Sequence, residues 1–121
     1  LPMKKADDYM YLARIAIKDG RYDVAASNAI HGTINALDAL TTFYLGKRAS
    51  GAHTDVLSLV KGIFDPNEYQ NVQRQFTSLI SLKNASEYQP DLMDPADAQN
   101  AIKWAVRIIG KVKAKLKGLP S

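Results

Sequence analysis

The chain has 121 residues, 46% of them hydrophobic and 23% charged, and a formal net charge of +4 at pH 7. These values predict a single globular domain over residues 1–121, and they exclude an intrinsically disordered chain. No apolar run reaches the roughly 18 to 20 residues that cross a bilayer, and the first ten residues lack a secretory signal, so we expect a cytoplasmic protein without a membrane partner. With no cysteine and two histidines, we expect no metal and no other cofactor.

Two helices are predicted in the first 45 residues. The first spans residues 6–19 and ends before Gly20, which is placed as a C-terminal cap. Its apolar residues recur at three- and four-residue spacing and predict an inward face of Tyr9, Leu12, Ala13 and Ala16. The second spans residues 22–45 without a break in its helical period and ends before Gly46. At 1.5 Å per residue it is about 36 Å long, the length of a central rod in a small bundle.

Three further helices are predicted after the turn at residues 46–54. A short one from Asp55 to Phe64 follows a possible Thr54 cap. The sequence "DPNE" at 65–68 starts a fourth helix that runs to Asn84, and "DPAD" at 94–97 starts a fifth. No stretch alternates with the two-residue period of a strand. The sequence therefore predicts an all-α fold, an up-and-down antiparallel bundle of four main helices plus one short helix.

The positive charge is concentrated in the last helix. From residue 100 onward there is no acidic residue and there are six cations: Lys103, Arg107, Lys111, Lys113, Lys115 and Lys117. The other 10 Lys and Arg against 12 acids leave a net charge of −2 for the rest of the chain. Residues 103, 107 and 111 form a ridge that could follow a phosphate backbone. A solvated basic face at a helix C-terminus would have the same residues. Trp104, one position off the ridge, is expected in the core or at a dimer contact.

Three polar residues share one side of the second helix. His31 and Asp38 are seven residues apart, and Asn28 lies one turn before His31. Two hypotheses fit them. They could line a polar pocket within the bundle or at a dimer seam, or His31 could be buried and simply hydrogen-bonded.

Several stretches together resemble HEPN domains, which are small helical bundles. They are "DGRYDVAASNAIHGTINALDALTTFYLGKRASGAHTD" from Asp19, "SLKNASEY" from Ser81 and "DPADAQNAIKWAVRII" from Asp94. The resemblance covers nearly the whole chain. It implies a domain that binds nucleotide or RNA, forms a homodimer, and works beside a small nucleotidyltransferase or in a toxin–antitoxin pair.

The resemblance also implies that the chain could be a ribonuclease, since some HEPN domains are metal-independent ribonucleases. Those use an arginine followed by a histidine after four to six residues, with two copies meeting at a dimer cleft. Arg48 and His53 fit that spacing, although Ala49 stands where a polar residue is usual. A second stretch has the expected late position, but it carries Lys83 and Tyr88 in place of arginine and histidine, with Asn84 after the cation.

The chemistry of these side chains suits RNA cleavage through the 2′-hydroxyl. Histidine transfers protons near neutral pH, and arginine stabilises charge on phosphate oxygens. The alternative is an exposed His53 and an Arg48 that only extends from the helix end. Even without catalysis, Lys47, Arg48 and His53 could bind an anion.

Two hypotheses follow from these observations. In the first, a homodimer binds nucleotide or RNA through the candidate catalytic pair and through Lys47, Lys83, Asn84, Tyr88, Lys103 and Arg107. In the second, the chain is a non-catalytic module that packs against a small nucleotidyltransferase. For the first hypothesis we expect the turn at 46–54 and the polar segment after residue 83 to lie at one rim of the bundle.

Overall fold

The computed structural model describes residues 3–49, 55–88 and 93–117, the side chains of 85–88 excepted. These residues form five helices: α1 (Lys4–Lys18), α2 (Tyr22–Leu45), α3 (Asp55–Val60), α4 (Pro66–Tyr88) and α5 (Pro95–Lys117). There is no strand among them. The all-α prediction of four long helices and one short helix is confirmed. None of the helices so described combines the length and apolar character that a bilayer span requires.

The start signals of α4 and α5 work as capping boxes. The Asp65 carboxylate accepts the Glu68 backbone N–H at 2.8 Å, and the Glu68 carboxylate accepts the Asp65 N–H at 3.1 Å. Asp94 and Asp97 make the same reciprocal pair, at 2.8 and 3.3 Å. Each box satisfies backbone donors that the first helical turn leaves without intrahelical partners. The two predicted helix starts are therefore confirmed.

Two glycines end the first two helices as predicted. Gly20 has φ +74° and Gly46 has φ +69°, in the left-handed region that favours glycine. The Arg21 N–H bonds the Ala16 carbonyl and the Gly20 N–H bonds that of Ile17, which is the Schellman pattern. The chain reverses there and lays α2 back along α1.

Two predicted helix ends were wrong. The third helix stops at Val60 rather than Phe64. The N–H groups of Ile63 and Phe64 both bond the Val60 carbonyl in a tighter turn that buries the Phe64 ring. The fourth helix continues past Asn84 to Tyr88. Ala85 and Glu87 are good helix formers, and the polar composition of this stretch does not break a helix.

The helix ends meet at the two opposite ends of the bundle. We call the end where α2 and α5 finish the proximal end, and the end where α1 and α4 finish the distal end. At the proximal end, the Tyr44 hydroxyl of α2 donates to the Lys115 carbonyl of α5 at 3.3 Å, and Glu68 of α4 pairs with Lys115 at 3.1 Å. Asp7 of α1 pairs with Lys113 at the same end, at 2.7 Å. At the distal end, Ala16, Ala25 and Ala98 from α1, α2 and α5 form a small apolar cluster. Consecutive long helices are therefore antiparallel, whereas α2 and α5 run parallel.

Helix α2 lies at the centre and packs most extensively against α1 and α5. Its contact with α1 is close: a Cβ on Gly32 would lie 3.2 Å from the Ala6 carbonyl oxygen and 3.3 Å from Met10 Sδ. Leu37 lies five residues on, about 140° around the helix, on the side that meets α4 and α5. Alanine and glycine thus line one side of α2, and larger aliphatic residues line the other.

A predicted core residue of α1 and an apolar residue of α5 are exposed. Leu12 of α1 is 48% exposed and Val106 of α5 is 44% exposed. Their places in the core are taken by Met10 and by Ile108, which are 4% and 0% exposed. In both helices, apolar residues on neighbouring faces have spacings that fit a 3.6-residue period, and packing selects the other face.

Candidate functional site

Arg48 extends from the chain just after α2 ends. Because Gly46 turns the backbone at the proximal end, the Arg48 side chain points back along α2, and its Nη2 lies 3.5 Å from Oδ2 of Asp38. The arginine side chain is 69% exposed and the aspartate side chain is 19% exposed. The ion pair thus lies at the surface, at the side of α2.

This ion pair is loose. Charge-assisted N–H···O bonds are typically about 2.7–2.9 Å long, and 3.5 Å is well beyond that. A guanidinium carries five N–H donors in a planar fork. Exposed as it is, Arg48 has donors left for a phosphate or another anion.

Two shallow depressions meet at Arg48. The first, of about 410 Å³, is the α1/α2 groove, lined by Lys5, Asn35, Asp38, Thr42, Phe43 and Arg48. The second, of about 310 Å³, lies toward α3 and is lined by Lys47, Arg48, Ala49, Asp55, Ser58 and Leu59. Both depressions contain cationic and carboxylate groups. The predicted anion contacts Lys47 and Arg48 are therefore neighbours at the rim of these two depressions.

The other half of the predicted catalytic pair, His53, lies outside the described residues. The remaining predicted contacts on α4 lie far from Arg48. Lys83 is half-buried and Asn84 is exposed, 15 and 16 residues after Glu68. They therefore lie about 22 to 24 Å along α4 from the proximal end. Tyr88 belongs to the last turn of α4, and its side chain is outside the described part.

The expectation of one shared rim was therefore wrong within a single copy of the chain. The turn after α2 leaves the proximal end, and α4 ends at the distal end. The reason is simple topology: α4 begins beside the end of α2 and carries the chain the full length of the bundle away. Arg48 and Lys83 cannot meet in one subunit.

The cations of α5 divide into two groups. Lys103 and Arg107 are exposed, Lys111 is half-buried, and within the described segments none of them forms an ion pair. Lys113 and Lys115 pair with acids of α1 and α4. The hydrogen bond from Lys115 to Glu68 raises the pKa of Lys115 above its usual value. Only the first group has no acidic partner among the described residues, which the ridge hypothesis needs. Trp104 packs against the core, as one of its two predictions required.

His31 is exposed, so the hypothesis of a buried, hydrogen-bonded histidine was wrong. Its ring stacks on Tyr9 of α1, with centroids 5.5 Å apart and an interplanar angle of 29°. Asn28 donates to the Val24 carbonyl of its own helix. Asp38 is the partner of Arg48. The three residues therefore line the outer side of α2 and do not enclose a buried pocket.

Among the residues that line the α1/α2 groove, sequence reasoning missed the polar Lys5, Asn35 and Thr42 and the aromatic Phe43. One signal was present. Asn35, Asp38 and Thr42 continue the spacing of Asn28 and His31, so they predict one polar stripe along α2. The contribution of Lys5 depends on how α1 packs and has no such signal.

The described residues hold no group of three His, Asp or Glu side chains placed to bind a metal ion. The groups at the proximal end that could bind a ligand include the ammonium groups of Lys5 and Lys47 and the guanidinium of Arg48. Guanidinium and ammonium groups bind phosphate and carboxylate. The Asp38 carboxylate beside Arg48 accepts N–H donors and repels anions.

A model of the HEPN domain family matches residues 2–115, nearly the whole chain. No curated protein and no solved structure matches the chain significantly.

Proposed function

The chain belongs to the HEPN domain family, and on that basis we propose that it is a cytoplasmic domain that binds nucleotide or RNA at the proximal end of its bundle. Family membership supports a function connected with nucleotides or RNA in general. The observation that carries the proposal is the position of Arg48, exposed between two depressions and only loosely paired with Asp38. Lys47 adds a second cation.

RNA affinity tests the proposal. Labelled single-stranded RNA is titrated with the protein over a series of salt concentrations. Each phosphate contact releases counterions, so Arg48→Gln should weaken binding for every sequence and reduce the salt slope by about one. Arg74→Gln is the matched control, because Arg74 lies on the exposed side of α4 and, among the described residues, its guanidinium bonds only Asn71. RNA binding that is undetectable at low salt, or equal effects of the two variants, would refute the proposal.

A homodimer is the second part of the proposal. Its support is an exposed apolar stripe on α1, formed by Tyr11, Leu12 and Ile15, which are 64%, 48% and 39% exposed. A second copy would cover this stripe. Light scattering should give the mass of two chains, and Leu12→Lys should give the mass of one with unchanged circular dichroism. A monomeric wild type at high concentration contradicts this part.

Ribonuclease activity is a finer proposal for the same site. It is supported by the exposed guanidinium of Arg48 and by the spacing of His53 in the sequence. Purified protein should cut single-stranded RNA in the presence of a chelator, and His53→Ala should abolish the cut. Replacing the ribose at the cleaved position by deoxyribose should also block cleavage, since the attacking 2′-hydroxyl is gone. Equal cleavage by wild type and His53→Ala would indicate a contaminant and remove the proposal.

The exposed stripe of α1 also favours a second candidate, a non-catalytic module that packs against a partner such as a small nucleotidyltransferase, including a toxin–antitoxin pair. The two candidates differ in their salt response. RNA binding falls steeply with salt, whereas docking through the apolar stripe persists. A protein that stays monomeric, binds no RNA and forms a salt-resistant complex with the nucleotidyltransferase supports this candidate.

A further inference from the structure

The α1/α2 groove contains an exposed aromatic ring beside cations. Phe43 is 54% exposed. It lies 11 residues after Gly32, within roughly 20° of the same side of α2. Helix α1 covers α2 near Gly32 but begins at Lys4, so it does not reach Phe43. The side of α2 that is closely packed against α1 therefore continues as an open groove at the proximal end.

The ring of Phe43 has a fixed neighbour. It meets Tyr44 edge to face, with centroids 5.6 Å apart and an angle of 68°. Tyr44 is held by its hydroxyl, which donates to the Lys115 carbonyl. A ring supported in this way can offer its open face to a planar ligand with little loss of side-chain freedom.

The polar side of the groove is rich in acceptors. The Asn35 amide nitrogen donates to the His31 carbonyl at 2.8 Å, which leaves the amide oxygen without a partner in the described structure. The Asp38 carboxylate can only accept, and its one described contact is the long pair with Arg48. Lys5 and Arg48 supply the positive charge at the rim. The groove thus combines a ring face, acceptors and cations within about 410 Å³, a volume that fits a ligand of mononucleotide size.

We propose that the α1/α2 groove binds one unpaired nucleobase, stacked on Phe43, with its N–H edge on Asp38 and its phosphate on Arg48. For both contacts to form, the exposed guanidinium turns away from its loose pair with Asp38 and toward the phosphate. The inference rests on the proposed function and specifies its ligand. Guanine fits the acceptors best, because its N1–H and its amino group form two adjacent donors that a carboxylate accepts together. Uracil has a single N–H and gains less. The base can belong to a free nucleotide or to single-stranded RNA, but a paired base cannot present this edge.

The first test measures the binding of three ligands to the wild type by NMR or calorimetry. GMP should bind at least about tenfold more tightly than UMP, the discrimination typical of a bidentate contact. Ribose 5-phosphate, which has no base, should bind weakest. A guanine-containing single strand should compete with GMP, and the same sequence in a duplex should not. Equal affinity for GMP and UMP would overturn the assignment of the base edge.

Phe43 provides the second test. Phe43→Leu should weaken GMP binding by roughly tenfold to hundredfold, the usual effect of losing a base stack, and should leave ribose 5-phosphate binding unchanged. Phe43→Tyr keeps the ring face and should retain GMP affinity. Leu45→Ala is the matched control, since Leu45 is 44% exposed on the same helix and does not line the groove. Loss of GMP binding in the control, or none in Phe43→Leu, would overturn the stack.

Asp38 provides the third test. Asp38→Asn removes a charge that repels phosphate and competes for Arg48, so ribose 5-phosphate should bind more tightly. The same change should abolish the preference for GMP over UMP, since an amide cannot accept two donors as a carboxylate does. A retained preference would exclude Asp38 from base recognition.

The failures of the two proposals can be told apart. If ribose 5-phosphate binds as well as GMP and Arg48→Gln removes both, the proximal end binds anions and the base groove is wrong. If neither ligand nor RNA binds the wild type, both proposals fall.

Discussion

The two long sides of α2 are packed in opposite ways. Toward α1, a glycine and alanines bring the two helices close together, so that a Cβ at Gly32 would meet the α1 backbone at 3.2 Å. Toward α4 and α5, larger residues such as Ile30 and Leu37 fill the space. The first side is limited by close approach and the second by volume. We therefore expect added atoms on the first side to lower the stability of the fold, and removed atoms on the second side to lower it as well.

Truncation on the aliphatic side should have the largest effect. Leu37 is fully buried, and Leu37→Ala should lower the free energy of unfolding by about 2–5 kcal/mol, through lost burial and the cavity left behind. Urea denaturation measures the change. A loss below about 1 kcal/mol would mean that this side of α2 collapses around the cavity, and it would weaken the contrast between the two sides.

Two residues of α1, two positions apart, lie on its inner and its outer face. Met10 is 4% exposed and packs against α2, whereas Leu12 is 48% exposed. Met10→Ala should cost about 2–4 kcal/mol, and Leu12→Ala less than about 1 kcal/mol. Urea denaturation should be run at concentrations where light scattering shows a single copy, because a dimer contact would bury Leu12. Equal losses in dilute protein would contradict the orientation of α1.

Two glycines test close approach directly. Gly110 lies within α5 with open space at its Cβ position, so Gly110→Ala should stabilise the protein by up to about 1 kcal/mol through helix propensity. Gly32→Ala has the same propensity gain but places its Cβ against the Ala6 carbonyl. We expect a net loss of roughly 1 kcal/mol in thermal or urea unfolding. Equal gains in both variants would show that α1 and α2 separate easily.

The smallest effect concerns the ion pair between α4 and α5. The hydrogen bond to Glu68 raises the pKa of Lys115 above its ordinary value of 10.5. Folding therefore favours the charged amine, and this stabilisation is complete below pH 10.5 and is lost as the pH rises through the raised pKa. The difference in urea midpoint between wild type and Lys115→Met should shrink over that range. Lys61→Met, without an ion pair in the described structure, should show no such trend.

Much of the fold is readable from the sequence because its boundaries are local. Gly20, Gly46 and the two capping boxes act within a few residues, so the ends of α1 and α2 and the starts of α4 and α5 follow from short segments. The choice of core face in α1 is not local. Apolar residues lie on both sides of that helix, and only the closeness of α2 selects Met10 over Leu12.

The candidate site was only partly predictable for the same reason. Arg48 stands out by its charge and position, but its pairing with Asp38 spans ten residues and depends on how the chain turns at Gly46. Phe43 reads as an ordinary apolar residue of a helix. It is exposed because α1 begins too late to cover it, a fact of packing that no local pattern contains.

The parallel course of α2 and α5 has an electrostatic consequence. Both helices point their carboxyl termini at the proximal end, and each terminus carries about half an elementary negative charge. These partial charges hold nearby ammonium and guanidinium groups even where no acid faces them. They also repel an anion that approaches along the helix axes, so a phosphate bound as proposed would have to reach Arg48 from the side of α2, where Arg48 lies beside Asp38.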